Sequence, residues 1–367
     1  MNDKIRRYGA FLLAAVWAAL ILFAWFKPDG DFSDAERRPL EQMPELSLST
    51  LVNGKFMAGF EDYTLDQFPL RDGFRQLKSL FHYYVLNQKD NNEIYIADGY
   101  AAEMEYPLDI GSLDKALQQF NKVYNKYLKN QGSTVFTAII PDKSYYLAED
   151  NGYLAMDYET LFSQVKEEMP WATHVDLTDC LTIEDYYRTD THWRQERLIP
   201  VAQKLAEAMG LTIPQASDFT LVAMDRPFYG VYYGQAALPM EAETMYLMEN
   251  AVTQGCTLYN HETGMTTAVY DLEKLNAKDP YDVFLSGAQS LLTVKNPNAK
   301  TDRELIVFRD SFGSSIVPLL VQDYARVTLV DIRYIQIDVL GRFLEFNGQD
   351  ILFLYSTLVL NNSSTIK

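Results

Sequence analysis

Two short segments of this chain hold residue types of the kind that acyl chemistry uses. In YRTDTHW, residues 187–193, Asp190 stands two positions before His192, and Trp193 follows it. In VFRDSFGSS, residues 307–315, Ser311 comes just after an apolar run and just before a helix-like one. A serine hydroxyl is a poor nucleophile at neutral pH and needs a base within hydrogen-bonding reach. An imidazole titrates near neutrality, so His192 can take that proton and return it. A carboxylate at Asp190 would hold the imidazole tautomer and stabilise its cation, as the third member of a triad does. In an extended stretch, residues i and i+2 point the same way, which would let Asp190 and His192 meet. Trp193 would then shield the pair from water. The expected catalytic set is Ser311, His192 and Asp190.

Each residue also has a plainer reading. Asp190 could be a helix N-cap with His192 in the first turn of the helix beyond it, and Ser311 could cap the helix after its strand. The two segments lie far apart in the chain, so proximity must come from the fold. The elements around them suggest how. Apolar runs at STVFTAIIPDK, ATHVDL, ELIVFRDS, RVTLVDIRY and DILFLYSTLVL read as strands. Between them, GSLDKALQQFNKVYNKYLKNQG, residues near 157–169, RQERLIPVAQKLAEAMG, FGSSIVPLLVQDYA and QIDVLGRFLEFNGQ read as helices. Strands alternating with helices imply an α/β fold with a mostly parallel sheet covered on both faces. In such sheets the active crevice lies outside the carboxyl ends of the strands. A serine on a strand-to-helix turn points into that crevice. The N–H groups of the helix after it can meet an oxyanion. Gly313 would let a substrate carbonyl approach closely.

The N-terminus bears on location. Tyr8 to Phe26 is an uncharged run of nineteen residues, roughly 28 Å long as a helix and close to the hydrocarbon thickness of a bilayer. Lys4, Arg6 and Arg7 precede it, so residues 1–7 are expected in the cytoplasm and everything after Lys27 outside. A cleaved signal peptide is the alternative, although no small-x-small site follows the run. Residues 27–90 read as a Pro-containing linker and short helices. Residues 91–367 read as the α/β domain, with an irregular or partly β insertion at about 214–300. A net charge of −18 argues against nucleic acid as a partner. Cys180 and Cys256 could pair in an oxidising compartment or remain thiols. His82, His174 and His261 form no metal-spaced cluster with other ligands, and no nucleotide-binding glycine motif occurs, so neither metal nor cofactor is expected. PFYGVYYGQ, residues 227–235, offers Tyr229 and its neighbours as faces for a sugar ring.

With the anchor and the PDK after the first strand, YRTDTHW and FRDSFGSS resemble the DHHW family, which is similar to the SGNH-hydrolase-like proteins of bacterial alginate O-acetylation. The resemblance runs from about residue 30 to the C-terminus. It implies an SGNH-like domain in which Asp190 and His192 match an Asp-x-His motif and Ser311 matches the serine of an Asp-Ser block. Thr191 stands where the family name implies a second histidine. Arg309 stands where a Gly-Asp-Ser block has glycine, and no oxyanion asparagine is identified. Lys143 and Arg333 match recurrent positions, Lys143 as a structural or substrate contact and Arg333 as an anion or oxyanion contact. An ion pair at the sheet edge is the competing reading for both. The function implied is that of a bacterial membrane-anchored, extracytoplasmic O-acetyltransferase acting on a cell-surface or secreted polysaccharide, supplied with acetyl groups by a membrane-bound O-acyltransferase. An acetyl esterase using the same residues and a non-catalytic polysaccharide-binding scaffold are the alternatives.

Overall fold

A computed structural model describes residues 3–33, 35–212 and 214–367. The first two residues of the expected 1–7 tail lie outside the described residues, as do positions 34 and 213. The chain divides into two units. The first is Met1–Asn92 with Tyr233–Met240, and the second is Glu93–Tyr232 with Glu241–Lys367.

The first unit begins with α1 (Asp3–Phe26). Its Lys4–Phe26 stretch is long and apolar enough to cross a membrane. Two short antiparallel strands follow, β1 (Phe32–Ser33) and β2 (Arg38–Pro39). Then come α2 (Leu48–Val52), α3 (Lys55–Asp66) and α4 (Arg71–Leu80), the last running on into a wider turn over Phe81–Val85. Charged groups tie these pieces together. Arg38 grips both oxygens of Asp66 at 2.7 and 2.6 Å. That hydrogen-bonded guanidinium holds the Asp66 carboxyl down at about 2.

The second unit opens with the hairpin β3 (Ile94–Ala97) and β4 (Tyr100–Glu103), followed by α5 (Ile110–Val123). Next come β5 (Val135–Ile140), α6 (Ser144–Asn151), α7 (Tyr158–Glu168), β6 (Thr173–His174) and α8 (Ile199–Met209), which Gly210 closes at φ 62°. A second hairpin pairs β7 (Thr220–Phe228) with β8 (Glu243–Glu249), and α9 (Val231–Ala236) lies between them in sequence. After α10 (Ala251–Gly255) come β9 (Thr257–Asn260), β10 (Thr266–Ala268) and β11 (Leu291–Lys295). The chain ends with β12 (Glu304–Arg309), α11 (Gly313–Leu320), β13 (Arg326–Val330), β14 (Asp350–Ser356) and α12 (Thr357–Asn361).

Eight of these strands form one mixed sheet in the order β10-β9-β11-β13-β12-β14-β5-β6. The five from β13 to β6 run parallel, while β11, β9 and β10 add on antiparallel. The period of two sorts the core. Leu305, Val307, Leu352 and Leu354 face α8 and α11, while Ile306, Phe308, Ile351 and Phe353 face α5 and α7. This is the mostly parallel, helix-flanked α/β sheet expected from the alternating pattern.

Two local expectations differ from what is seen. The apolar run DILFLYSTLVL is not one strand: Ser356 accepts the Val359 N–H as an N-cap and turns the chain into α12. QIDVLGRFLEFNGQ forms only a short 3₁₀ segment, Ile337–Arg342, in place of a helix. Cys180 and Cys256 are both free thiols.

Candidate active site

The site is built at the carboxyl ends of the parallel strands, starting from β12. Arg309 is its last strand residue and α11 starts at Gly313, so Ser311 sits on the turn between them. Asp310, fully buried, fixes that turn. One carboxylate oxygen accepts the Phe312 N–H at 3.0 Å, and the other accepts the N–H and hydroxyl of Ser356 at 2.7 Å each. The start of α11 is thereby tied to the end of β14. The Ser311 side chain is half-buried and open to solvent on one side. Its N–H has no hydrogen-bond partner among the described residues.

The second segment is a loop closed by a bridge between Tyr186 and Trp193. It is bent rather than extended, so Asp190 and His192 do not meet through i, i+2 alternation. They meet because Asp190 Oδ1 accepts both the backbone N–H of His192, at 3.1 Å, and its ring Nδ1–H, at 2.6 Å. A carboxylate can only accept, so Nδ1 carries the proton and Nε2 of the neutral ring is an acceptor. The hydroxyl of Ser311, 119 positions away, donates to Nε2 at 2.7 Å. Ser311, His192 and Asp190 therefore form one continuous relay, with Asp190 fully buried and His192 nearly so.

Several groups that sequence reasoning passed over hold this loop. The Val231 N–H donates to Asp190 Oδ2 at 2.9 Å, and the Gly230 N–H donates to Thr189 Oγ1 at 2.9 Å. Glu243 accepts the N–H groups of Arg188 and Thr189 and the Thr189 hydroxyl. Tyr281 stacks face to face on the His192 ring, with centroids 3.9 Å apart and planes at 10°, and its hydroxyl donates to Ser315 Oγ at 2.8 Å. These residues lie 38 to 89 positions from His192 in a stretch with no motif. The glycine and tyrosine density of PFYGVYYGQ was the one local signal.

The secondary expectations divide. Trp193 is fully buried, so it touches no substrate. Its indole N–H donates to Phe312 O at 3.1 Å and Ser315 Oγ at 2.8 Å, which bolts the histidine loop to the serine turn. Lys143 is also buried. It donates to Tyr187 O at 3.0 Å, filling the inside of the loop, and lies over the Tyr232 ring. Burial pushes its ammonium down to about 7, against the pull of Asp190, Glu243 and Asp142. It is a structural contact. Arg333 does not present a free guanidinium: it is committed to both oxygens of Asp331, at 2.9 and 2.7 Å, the ion pair of the competing reading. Gly313 does not open space for a carbonyl. A β-carbon there would sit 2.9 Å from Cβ of Arg309, so the glycine makes room for that buried arginine, and its N–H donates to Asp310 O. Tyr229 is 42% exposed.

The chain is a helix-flanked α/β protein with its candidate relay at the carboxyl ends of the parallel strands, and solved structures share this fold. A family model described as DHHW protein matches residues 177–330, a stretch containing both motifs. A crystal structure of a DHHW family protein from Eubacterium siraeum superposes with a TM-score of 0.61 at 19% identity, covering 76% of this chain and 95% of that one. PatB1 of Bacillus cereus, solved with a sulfonyl adduct, superposes at 0.60 with 17% identity, over 73% of this chain and 94% of that one. A further structure of PatB1 gives 0.58 at 19% identity, over 73% of this chain and 96% of that one. At these identities the likeness establishes a shared fold. No curated protein matches the chain.

Proposed function

We propose that this chain is a membrane-anchored, extracytoplasmic O-acyltransferase that places acetyl groups on polysaccharide hydroxyls through Ser311. The observation that carries the reading is the unbroken relay from Ser311 Oγ to His192 Nε2 at 2.7 Å and from His192 Nδ1 to Asp190 at 2.6 Å. In the first half-reaction Ser311 Oγ attacks the acyl carbon of the donor while its proton passes to His192 Nε2. The leaving group departs with that proton, and an acyl-serine remains. In the second, a sugar hydroxyl gives its proton to Nε2 and attacks the acyl carbon, and Ser311 Oγ leaves and recovers the proton. The unengaged Ser311 N–H is the candidate donor to the oxyanion of both tetrahedral intermediates. Asp190, immobilised by Val231, stabilises the imidazolium in each.

The sugar acceptor and a membrane-bound donor partner follow from the resemblance to the DHHW and alginate-acetylation proteins. The exposed Tyr229 face is consistent with the former, and α1 would keep the domain beside the latter. The sulfonyl adduct of PatB1 suggests a reagent. Purified full-length chain treated with methanesulfonyl fluoride should gain one sulfonyl group by intact mass, and Ser311→Ala should gain none. Equal absence of labelling in both would remove Ser311 as nucleophile. With an activated acetyl ester and a short oligosaccharide, acetylated sugar supports transfer, whereas free acetate alone makes the protein an esterase.

A further inference from the structure

Within the first unit, α4 is docked the wrong way round for a soluble protein. Its polar side faces the unit: Arg71 pairs with Glu36 at 2.5 Å and Asp66 at 3.1 Å, Arg75 pairs with Glu36 at 3.2 Å, and Ser79 is buried under the Asn91 amide. The opposite side carries Leu70, Phe74, Leu77, Phe81 and Tyr84, spaced four, three, four and three residues apart along the helix and its continuation. All five are exposed, Leu77 by 62% and Tyr84 by 68%. Spacings of three and four put them on one stripe. A contiguous apolar stripe left open to water marks a surface with a partner.

The same unit indicates which partner. A cleft of about 680 Å³ lies between the outer half of α1 and α3, lined by Trp17, Ile21 and Trp25 on one side and Phe60, Tyr63 and Phe68 on the other. Phe68 also packs edge-on against Phe74, with centroids 5.4 Å apart. Apolar surface is thus continuous from α1, through Phe68, to the stripe on α4. A helix spanning a bilayer from Tyr8 to Phe26 would have Trp17 to Trp25 in its outer half, so α3 and α4 would lie at outer-leaflet depth. Apolar faces of helices lying flat enter the headgroup–acyl boundary by about 5–10 Å. The exposed Lys78 beside Leu77 can reach lipid phosphates while its stem stays apolar.

We propose that the Leu70–Tyr84 stripe of α4 lies in the outer-leaflet interface of the membrane, making the first unit an interfacial foot and not a free tether. The proposal rests on α1 being an uncleaved membrane span. The test uses the full chain in lipid vesicles, with an environment-sensitive fluorophore on Leu77→Cys, Phe81→Cys, Gln76→Cys or Trp17→Cys. The unsubstituted chain, with its half-buried Cys180, sets the labelling background. Nitroxide-bearing lipids should quench labels at 77 and 81 at least twofold more than the label at 76, and aqueous iodide should do the reverse. If the label at 17 is quenched by lipid while those at 77 and 81 behave like the one at 76, the span stands and the interfacial foot is overturned. Labels at 77 and 81 shielded from both quenchers would also overturn it, in favour of a protein covering the stripe. Lack of lipid quenching at position 17 would instead remove the membrane span on which the proposal rests.

Discussion

Gly230 lies so close to Asp190 that no side chain fits between them: an ideal β-carbon at 230 would fall 2.3 Å from Asp190 Cα and Cβ, and equally near Thr189 O. The contact places the next N–H, that of Val231, on Asp190 Oδ2. The glycine therefore sets the position of the carboxylate that orients His192.

Gly230→Ala must push the Asp190 loop away. A displacement on the scale of 1 Å at a reacting group costs about 100-fold in rate. The expected result is a fall of that order in acyl transfer and in sulfonylation rate, with a stability loss of about 1–3 kcal/mol. Sulfonylation kinetics together with denaturant melts would check it. Unchanged kinetics would mean that the Asp190 position is not set from this side.

Asp190→Asn tests the tautomer directly. An amide has N–H donors, so the position that now only accepts from Nδ1–H could donate to it. The imidazole would then carry its proton on Nε2 and could not accept from Ser311. A loss on the order of 10³–10⁴-fold in kcat is expected, with little change in KM. Steady-state kinetics on an activated acetyl ester provides the measurement. A loss under tenfold would count against Asp190 as the orienting group.

The three residues of the relay were legible because each belongs to a local pattern. An aspartate two positions before a histidine, and a serine between an apolar strand and a helix, are visible in a few residues of sequence. The sheet was legible for the same reason, since alternation and helical spacing are short-range signals. The supporting contacts were not. Gly230, Glu243 and Tyr281 act on the Asp190–His192 loop through long-range packing, which leaves no periodicity. Arg333 stayed between two readings and Gly313 was misread because their partners, Asp331 and the Arg309 side chain, set their roles in three dimensions. The end of β14 was misread because Thr357–Leu360 is as apolar as the strand, and only the cap at Ser356 marks the boundary.

Trp193→Phe keeps the apolar volume but removes the indole N–H. Ser315 Oγ keeps its bond from Tyr281, while the buried Phe312 carbonyl loses its strong donor. Phe312 O is still reached by the Ser315 hydroxyl at 3.5 Å, so the cost is that of one lost hydrogen bond, about 0.5–1.5 kcal/mol, which should appear as a lower denaturant midpoint. The histidine loop would also loosen against the serine turn, so sulfonylation should slow by about tenfold. A variant as stable and as fast as the parent would show that the bolt is not needed.

Lys143 gives the second unit a pH dependence of defined sign. Burial holds its folded-state value at about 7, against an ordinary 10.5 in the unfolded chain. Between those values the unfolded state holds the proton and the folded state has released it. The unfolded state therefore binds more protons there, and stability contributed at this position rises with pH from about 7 upward. Over the step from pH 7.5 to 9 the gain is about 2 kcal/mol. Lys143→Met loses the bond to Tyr187 O at every pH, a constant offset, and also loses the slope. The stability difference between parent and variant, from denaturant unfolding of the full chain at pH 6, 7.5 and 9, should change little from 6 to 7 and then move in favour of the parent. A difference independent of pH would mean that the ammonium under the Asp190–His192 loop keeps its proton throughout this range.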